Sequence, residues 1–262
     1  MKAGFVQNRP VFGKALENCQ AVKTLIGEAS ADLMVFPELF ATGYQFTSME
    51  EARRLAETVP GGPTTDFLID LAKTKSMAII AGIAERDGSL LYNSAVLAGP
   101  KGYIGKFRKA HIFDTEKDFF APGNLPFQVF DIGSARVGIM ICFDWRFPET
   151  ARTLALEGAD IIAHPANLVL PHCPQAMITR SLENRVFTIT ADRVGTENRI
   201  AGQTLRFMGQ SQVVDPDGQV LYRASEEKED MKIVEIDISK ARSKTINLRN
   251  DIFKDRREDL YR

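Results

Sequence analysis

Cys142 stands at the end of the apolar run Val137-Gly138-Ile139-Met140-Ile141, with Phe143-Asp144-Trp145 after it. The run is short, continuous and rich in β-branched residues, the pattern of a strand buried on both faces. Phe147-Pro148-Glu149 and then Thr150 to Glu157 read as a helix, Pro148 and Glu149 suiting its first turn. A thiol between such a strand and a helix lies at a sheet edge, where open α/β sheets carry reactive groups. The plain alternative is a structural thiol, because cysteine is among the most buried residue types. Two other segments place a charge beside apolar residues. Leu33 to Phe36 reads as a strand halted by Pro37, which has no N–H for a ladder, and Glu38 follows at once, ahead of Leu39 and Phe40. A carboxylate in that frame is costly unless paired or protonated; at the surface it would only cap the strand. In the segment from Gly102 to Phe113, Lys109 stands among several basic residues, and alone it reads as a solvated charge.

The elements that must position these residues follow from periodicity. Phe5 to Gln7 reads as the end of a first strand, and Leu33 to Phe36 and Ala78 to Ile83 read as strands; Lys14 to Glu28 and Thr64 to Lys75 read as helices. The second helix is expected to use Thr64 or Thr65 as its cap and to bury Phe67, Leu68, Leu71 and Ala72. Leu90 to Leu97 and Tyr103 to Phe107 form a strand pair across Gly99-Pro100-Lys101-Gly102, and Phe127 to Ile132 pairs with Arg136 to Ile141 across Gly133-Ser134. Further strands are expected at Ile161 to Ala163, Phe187 to Ala191, Ser211 to Val214 and Val220 to Tyr222. A helix is expected at Ala176 to Val186, a turn at Asp215-Pro216-Asp217-Gly218, and a closing strand at Met231 to Ile238. Hairpins mixed with strand–helix alternation predict sheets covered by helices, in one domain without a linker.

Phe36-Pro37-Glu38-Leu39-Phe40, Arg108-Lys109-Ala110-His111-Ile112-Phe113 and the block from Gly138 to Glu149 together resemble the three signature blocks of the nitrilase (carbon–nitrogen hydrolase) superfamily, in the same order. The resemblance runs nearly end to end, through Gly82 to Ala95, Glu183-Asn184-Arg185 and Asn250 to Arg257, and is nearest to the small single-domain microbial nitrilases. It implies an α/β fold, a four-layer α-β-β-α sandwich that pairs into homodimers or larger homo-oligomers, with the tail from 248 to 262 docking on a partner subunit. The apolar anchors Ile252, Phe253, Leu260 and Tyr261 in that charged tail fit such docking; a frayed terminus is the plain alternative. It also implies roles. Cys142 is the nucleophile, Glu38 the general base, and Lys109 the holder of oxyanion charge, with a backbone N–H such as that of Phe143. Glu116, seven residues after Lys109, resembles the block that carries an additional active-site glutamate; alone it reads as a solvated loop charge. Tyr44, Phe113, Trp145, Phe147 and Asn167 are candidates to line a narrow, mainly apolar cavity, and Arg146 is a candidate clamp for an anionic substrate.

The expected reaction converts a small amide to a carboxylic acid and ammonia through a Cys thioester. A nitrilase acting on small aliphatic nitriles would use the same residues, and a non-catalytic binding subunit is the third reading. Composition agrees with an ordinary globular protein. Of the 262 residues, 33 Lys and Arg face 34 Asp and Glu, which gives no electrostatic reason to expect nucleic acid or an anionic membrane as partner. No apolar stretch approaches the ~20 residues that span a bilayer, and the N-terminus carries no signal-peptide pattern, so the expectation is a cytoplasmic protein. Three cysteines make no disulfide framework. Cys19 shares a helical stripe with Leu16, Val22 and Ile26, whereas Cys173, beside His172 in a proline-bounded loop, is a rival nucleophile without an orienting third group. His111, His164 and His172 show no metal-ligand spacing; neither metal nor cofactor is expected.

Overall fold

The protein is described from a computed structural model, which covers residues 1–261. The first sheet contains β1 (Lys2–Gln7), β2 (Leu33–Val35), β3 (Ala78–Asp87), β4 (Leu90–Gly99), β5 (Gly102–Arg108) and β14 (Asp230–Glu235), in the order β14-β1-β2-β3-β4-β5. The second contains β6 (Val129–Asp131), β7 (Arg136–Ile139), β8 (Ile161–Pro165), β9 (Phe187–Ala191), β12 (Gln212–Val214) and β13 (Val220–Arg223), in the order β13-β12-β9-β8-β7-β6. Both sheets have a parallel central triplet, β1-β2-β3 and β7-β8-β9, flanked by antiparallel strands. Two helices, α1 (Ala15–Ile26) and α3 (Pro63–Lys75), cover the first sheet, while α4 (Pro148–Leu156) and α5 (Cys173–Asn184) cover the second. Faces meet between the sheets through residues such as Phe5, Val35, Ile80, Val137, Ile139 and Ile189, all buried. The result is the four-layer α-β-β-α sandwich.

Parallel strands covered on both faces are mostly apolar, and Leu33–Val35 and Ile161–Pro165 are buried at every position, with His164 the polar exception. The remaining elements are α2 (Met49–Leu55), the hairpin β10 (Val194–Ile200) with β11 (Gln203–Met208), and α6 (Ser239–Arg242). The short α2 and the β10–β11 hairpin were not foreseen from sequence. Ser48 caps α2 by accepting from the Glu51 N–H at 3.1 Å, a signal legible in Ser48-Met49-Glu50-Glu51.

Three expectations need correction. Helix α3 starts at Pro63 with Gly62 at the cap position, so Thr64 and Thr65 do not cap it; their N–H groups donate instead to the buried Glu57 carboxylate at 2.9 and 2.7 Å. A carboxylate from an earlier segment replaces the local cap and suits the positive end of the helix. Leu16 is 75% exposed on α1, while Cys19, Val22 and Ile26 are buried, so the buried stripe begins one turn later. Cys173 lies in the first turn of α5 and not in a loop, fully buried, because Pro174 needs no N–H partner there.

Candidate active site

Glu38, Lys109 and Cys142 come from three segments that leave the sheets at one end: Glu38 after β2, Lys109 directly after β5, and Cys142 after β7. Glu38 must pass close against β3. A Cβ on Gly82 would stand 2.4 Å from the Glu38 Cα, so only glycine permits that approach. Behind Lys109, a Cβ on Gly123 would stand 2.2 Å from the Arg108 carbonyl oxygen, and Gly123 N–H donates to the Lys109 carbonyl at 2.8 Å. The β5 segment is tied to the thiol turn by Asp144. Its carboxylate accepts from the Ile141 N–H at 2.9 Å and from the His111 N–H at 3.0 Å, and it meets His111 Nδ1 at 2.8 Å.

Glu38 and Lys109 are fully buried and Glu116, in the 3₁₀ turn Asp114–Asp118, is nearly so. Lys109 Nζ donates to Glu38 Oε1 at 2.7 Å and to the two Glu116 oxygens at 2.7 and 2.8 Å. Asn93, on β4, donates from Nδ2 to Glu38 Oε1 at 2.7 Å, and Tyr44 donates its hydroxyl to Glu116 Oε1 at 2.6 Å. Glu38 Oε2 is buried without a hydrogen-bond partner among the described residues.

Two carboxylates share one ammonium in a dry space. Burial pushes the Glu38 carboxyl up to about 7, Lys109 opposing and Glu116 adding to the rise. Burial acts against the Lys109 charge, but Glu116 and Glu38 outweigh it and hold the ammonium well above its ordinary range. The Cys142 thiol is pushed well up by burial and then by Glu38, against the pull of Lys109. The sulfur therefore rests as S–H next to a carboxylate poised near neutrality.

Asn167, just after β8, joins the thiol to the base. Its backbone oxygen accepts from Cys142 Sγ at 3.7 Å, and its Nδ2 donates to the Glu38 carbonyl at 2.9 Å. Cys142 itself has φ +41°, in the left-handed region that non-glycine residues rarely occupy, and opens the 3₁₀ turn Cys142–Arg146. A cavity of about 20 Å³, room for one small molecule such as water, lies over it. Of the residues expected to line it, Phe113, Trp145 and Asn167 do, joined by Phe143 and Leu168–Leu170. Tyr44 lies on Glu116 outside the lining, and Phe147 stacks on the His111 ring at 3.6 Å and meets the lining residue Phe143 edge-on at 5.5 Å, behind the cavity wall and not in it. Arg146 is exposed and outside the lining. A groove of about 970 Å³ between Arg9–Phe12 and Gly195–Arg199 contains none of these groups. Among the described residues, no cluster of His, Cys, Asp or Glu is arranged to hold a metal ion, and no helix is long and apolar enough to cross a membrane.

Asn93 has a signal in the sequence that the expectations above did not use, since asparagine is depleted in buried strands and Asn93-Ser94 interrupts an apolar run. His164 was weighed only as a metal ligand; its contact with the Cys142 carbonyl has no signature in sequence spacing.

An α-β-β-α sandwich with a thiol, a carboxylate and an ammonium at its strand ends is the frame of a protein whose family match makes it a hydrolase acting on non-peptide carbon–nitrogen bonds. The chain belongs to the carbon–nitrogen hydrolase family, whose profile matches residues 2–245. It is 53% identical over 264 residues to a nitrilase of Pyrococcus abyssi, covering 100% of this chain and 99% of the relative. With an (R)-stereoselective amidase of a Pseudomonas species it shares 33% identity, over 90% of this chain and 83% of that one. The crystal structure of a carbon–nitrogen hydrolase from Helicobacter pylori superposes with a TM-score of 0.85 at 26% identity, over 100% and 97% of the two chains.

Proposed function

We propose that the protein hydrolyses a small amide to a carboxylic acid and ammonia through a thioester on Cys142. The observation that carries this reading is Glu38 Oε2, an unpartnered, buried oxygen of a carboxyl poised near 7, in the same site as a thiol that stays protonated until it reacts. As sulfur attacks the carbonyl carbon, Glu38 takes the thiol proton. Lys109 and the Phe143 N–H stabilise the negative charge on oxygen, and Glu116 with Tyr44 holds Lys109 in place. When the tetrahedral species collapses, the C–N bond breaks and Glu38 returns the proton to the leaving nitrogen. Water then attacks the thioester, giving a proton to Glu38 and releasing the acid, and sulfur recovers its proton. The apolar side chains of Phe113, Phe143 and Trp145 beside the thiol favour an apolar acyl group.

Nitrile hydrolysis is the second reading, supported by the 53% identity to a nitrilase. Hydrogen-bond chemistry favours the amide. Two buried acceptors, Glu38 Oε2 and Asn167 Oδ1, lack donors, and an amide NH₂ supplies donors where a nitrile supplies none. We further take the chain to be one hydrolase domain whose tail from 248 docks on a second copy of itself.

Ammonia release across small amides, N-carbamoyl compounds and aliphatic nitriles tests the reading. Amides should turn over faster than their nitriles, and Cys142→Ala should abolish both activities with the circular dichroism spectrum unchanged. Turnover that survives Cys142→Ala would remove the mechanism.

A further inference from the structure

His164, on β8, is fully buried and sits outside the set of groups that touch substrate in the proposed reaction. Its Nε2 lies 2.9 Å from the carbonyl oxygen of Cys142, and its Nδ1 lies 3.1 Å from the Thr190 hydroxyl. Thr190 is the residue paired with His164 in the parallel β8–β9 register, so two neighbouring strands build this contact. A carbonyl can only accept, which places the ring proton on Nε2. Burial holds the ring down at about 4, so it is neutral at working pH and Nδ1 accepts from Thr190.

The Cys142 carbonyl and the Phe143 N–H belong to one planar trans peptide and point to opposite sides of it. Fixing the carbonyl on β8 therefore fixes the N–H away from β8. No acceptor among the described residues meets that N–H, and Phe143 lines the cavity over the thiol. The peptide also follows a residue at φ +41°, a conformation that needs support from its surroundings. We infer that His164, oriented by Thr190, is a positioning residue that holds the Cys142–Phe143 peptide plane so that the Phe143 N–H faces the developing oxyanion. The inference rests on Cys142 being the nucleophile.

The test uses His164→Phe, His164→Gln and Thr190→Val in the full chain, each assayed for amide turnover and for alkylation of Cys142 by iodoacetamide. Alkylation displaces iodide at a saturated carbon and develops no oxyanion, so it reports on the thiol and its base alone. Removing an oxyanion donor outright costs ~10²–10³-fold in kcat, and losing its aim should cost ~10–100-fold. His164→Phe should therefore lower kcat by that factor, with KM and the alkylation rate within about threefold of the parent. His164→Gln, which keeps an N–H donor, should recover part of the loss, and Thr190→Val should show a smaller kcat defect of the same kind. Unchanged kcat in His164→Phe, or a fall in alkylation that parallels the fall in kcat, overturns the inference. Should His164→Phe fail to fold, unchanged kcat in Thr190→Val overturns it. Cys142→Ala separates the two levels: activity there defeats the nucleophile assignment, whereas a silent His164→Phe with an inactive Cys142→Ala defeats only the positioning role.

Discussion

At the scale of single residues, the decisive quantity is where each proton rests. With the thiol raised and the Glu38 carboxyl about 7, sulfur is not a standing thiolate, so the proposed reaction needs Glu38 to take the thiol proton as sulfur attacks. In the proposed reaction Glu38 works in its ionised form, and its carboxyl is raised, so kcat/KM should climb with pH and reach half its plateau near pH 7. Asn93 donates to the ionised carboxylate and so lowers its pKa; Asn93→Ala should move the acid limb to higher pH, as a pH–rate profile on a small amide would reveal. An acid limb that stays in place would mean another group controls it. Cys142 and Glu38 drew notice because each closes an apolar run, although a structural thiol and a strand-capping carboxylate fit those places as well. Lys109 and Glu116 were not legible from their neighbours, since a basic or acidic residue in a polar segment looks solvated until tertiary contacts bury it. Only the resemblance picked them out.

At the scale of elements, the strands were readable where burial is continuous: β2 and β9 fall within the apolar runs, while β3 and β8 start with theirs and run on past them, to Asp87 and Pro165. Their boundaries shifted where a distant partner intervened. Glu57 replaces a local cap on α3, and no window of sequence around Thr64 contains that information. The hairpin β10–β11 buries Val194, Glu197 and Phe207 and leaves its other residues exposed or half-buried, so it carries little apolar signal. Gly82 is the position where element packing and catalysis meet, because its missing side chain lets Glu38 lie against β3. Gly82→Ala should push the Glu38 backbone outward, destabilising the protein by ~1–3 kcal/mol as overpacking does. It should also lower kcat more than tenfold, since an ångström of displacement is costly in a positioned site. Thermal melting alongside steady-state kinetics checks both; a normal kcat would show that the base tolerates the shift.

At the scale of the whole molecule, the α-β-β-α layering could be anticipated in outline, because hairpins flanking strand–helix units predict covered sheets, but the symmetry of the two sheets around parallel triplets emerges only from pairing. The tail divides in two. Phe253 packs under Arg152 and Lys244, at 5.5 and 5.0 Å from its ring, while Leu248, Leu260 and Tyr261 are exposed. Ending the chain after Asn247 should shift the mass measured by light scattering from a dimer or larger assembly toward the monomer. An unchanged mass would place the self-association elsewhere, and a monomeric parent would remove it.

The backbone posture of Cys142 has a consequence for heat resistance. Alanine at that position keeps the positive φ and its penalty, whereas glycine relieves it at the expense of a freer unfolded chain. Of two inactive proteins, Cys142→Gly should therefore melt ~2–4 °C above Cys142→Ala, as about 1 kcal/mol does in a chain this long. The ranking runs against the usual preference for alanine over glycine: the sulfur occupies a place that the polypeptide, left to its own inclination, would give to a residue with no side chain at all.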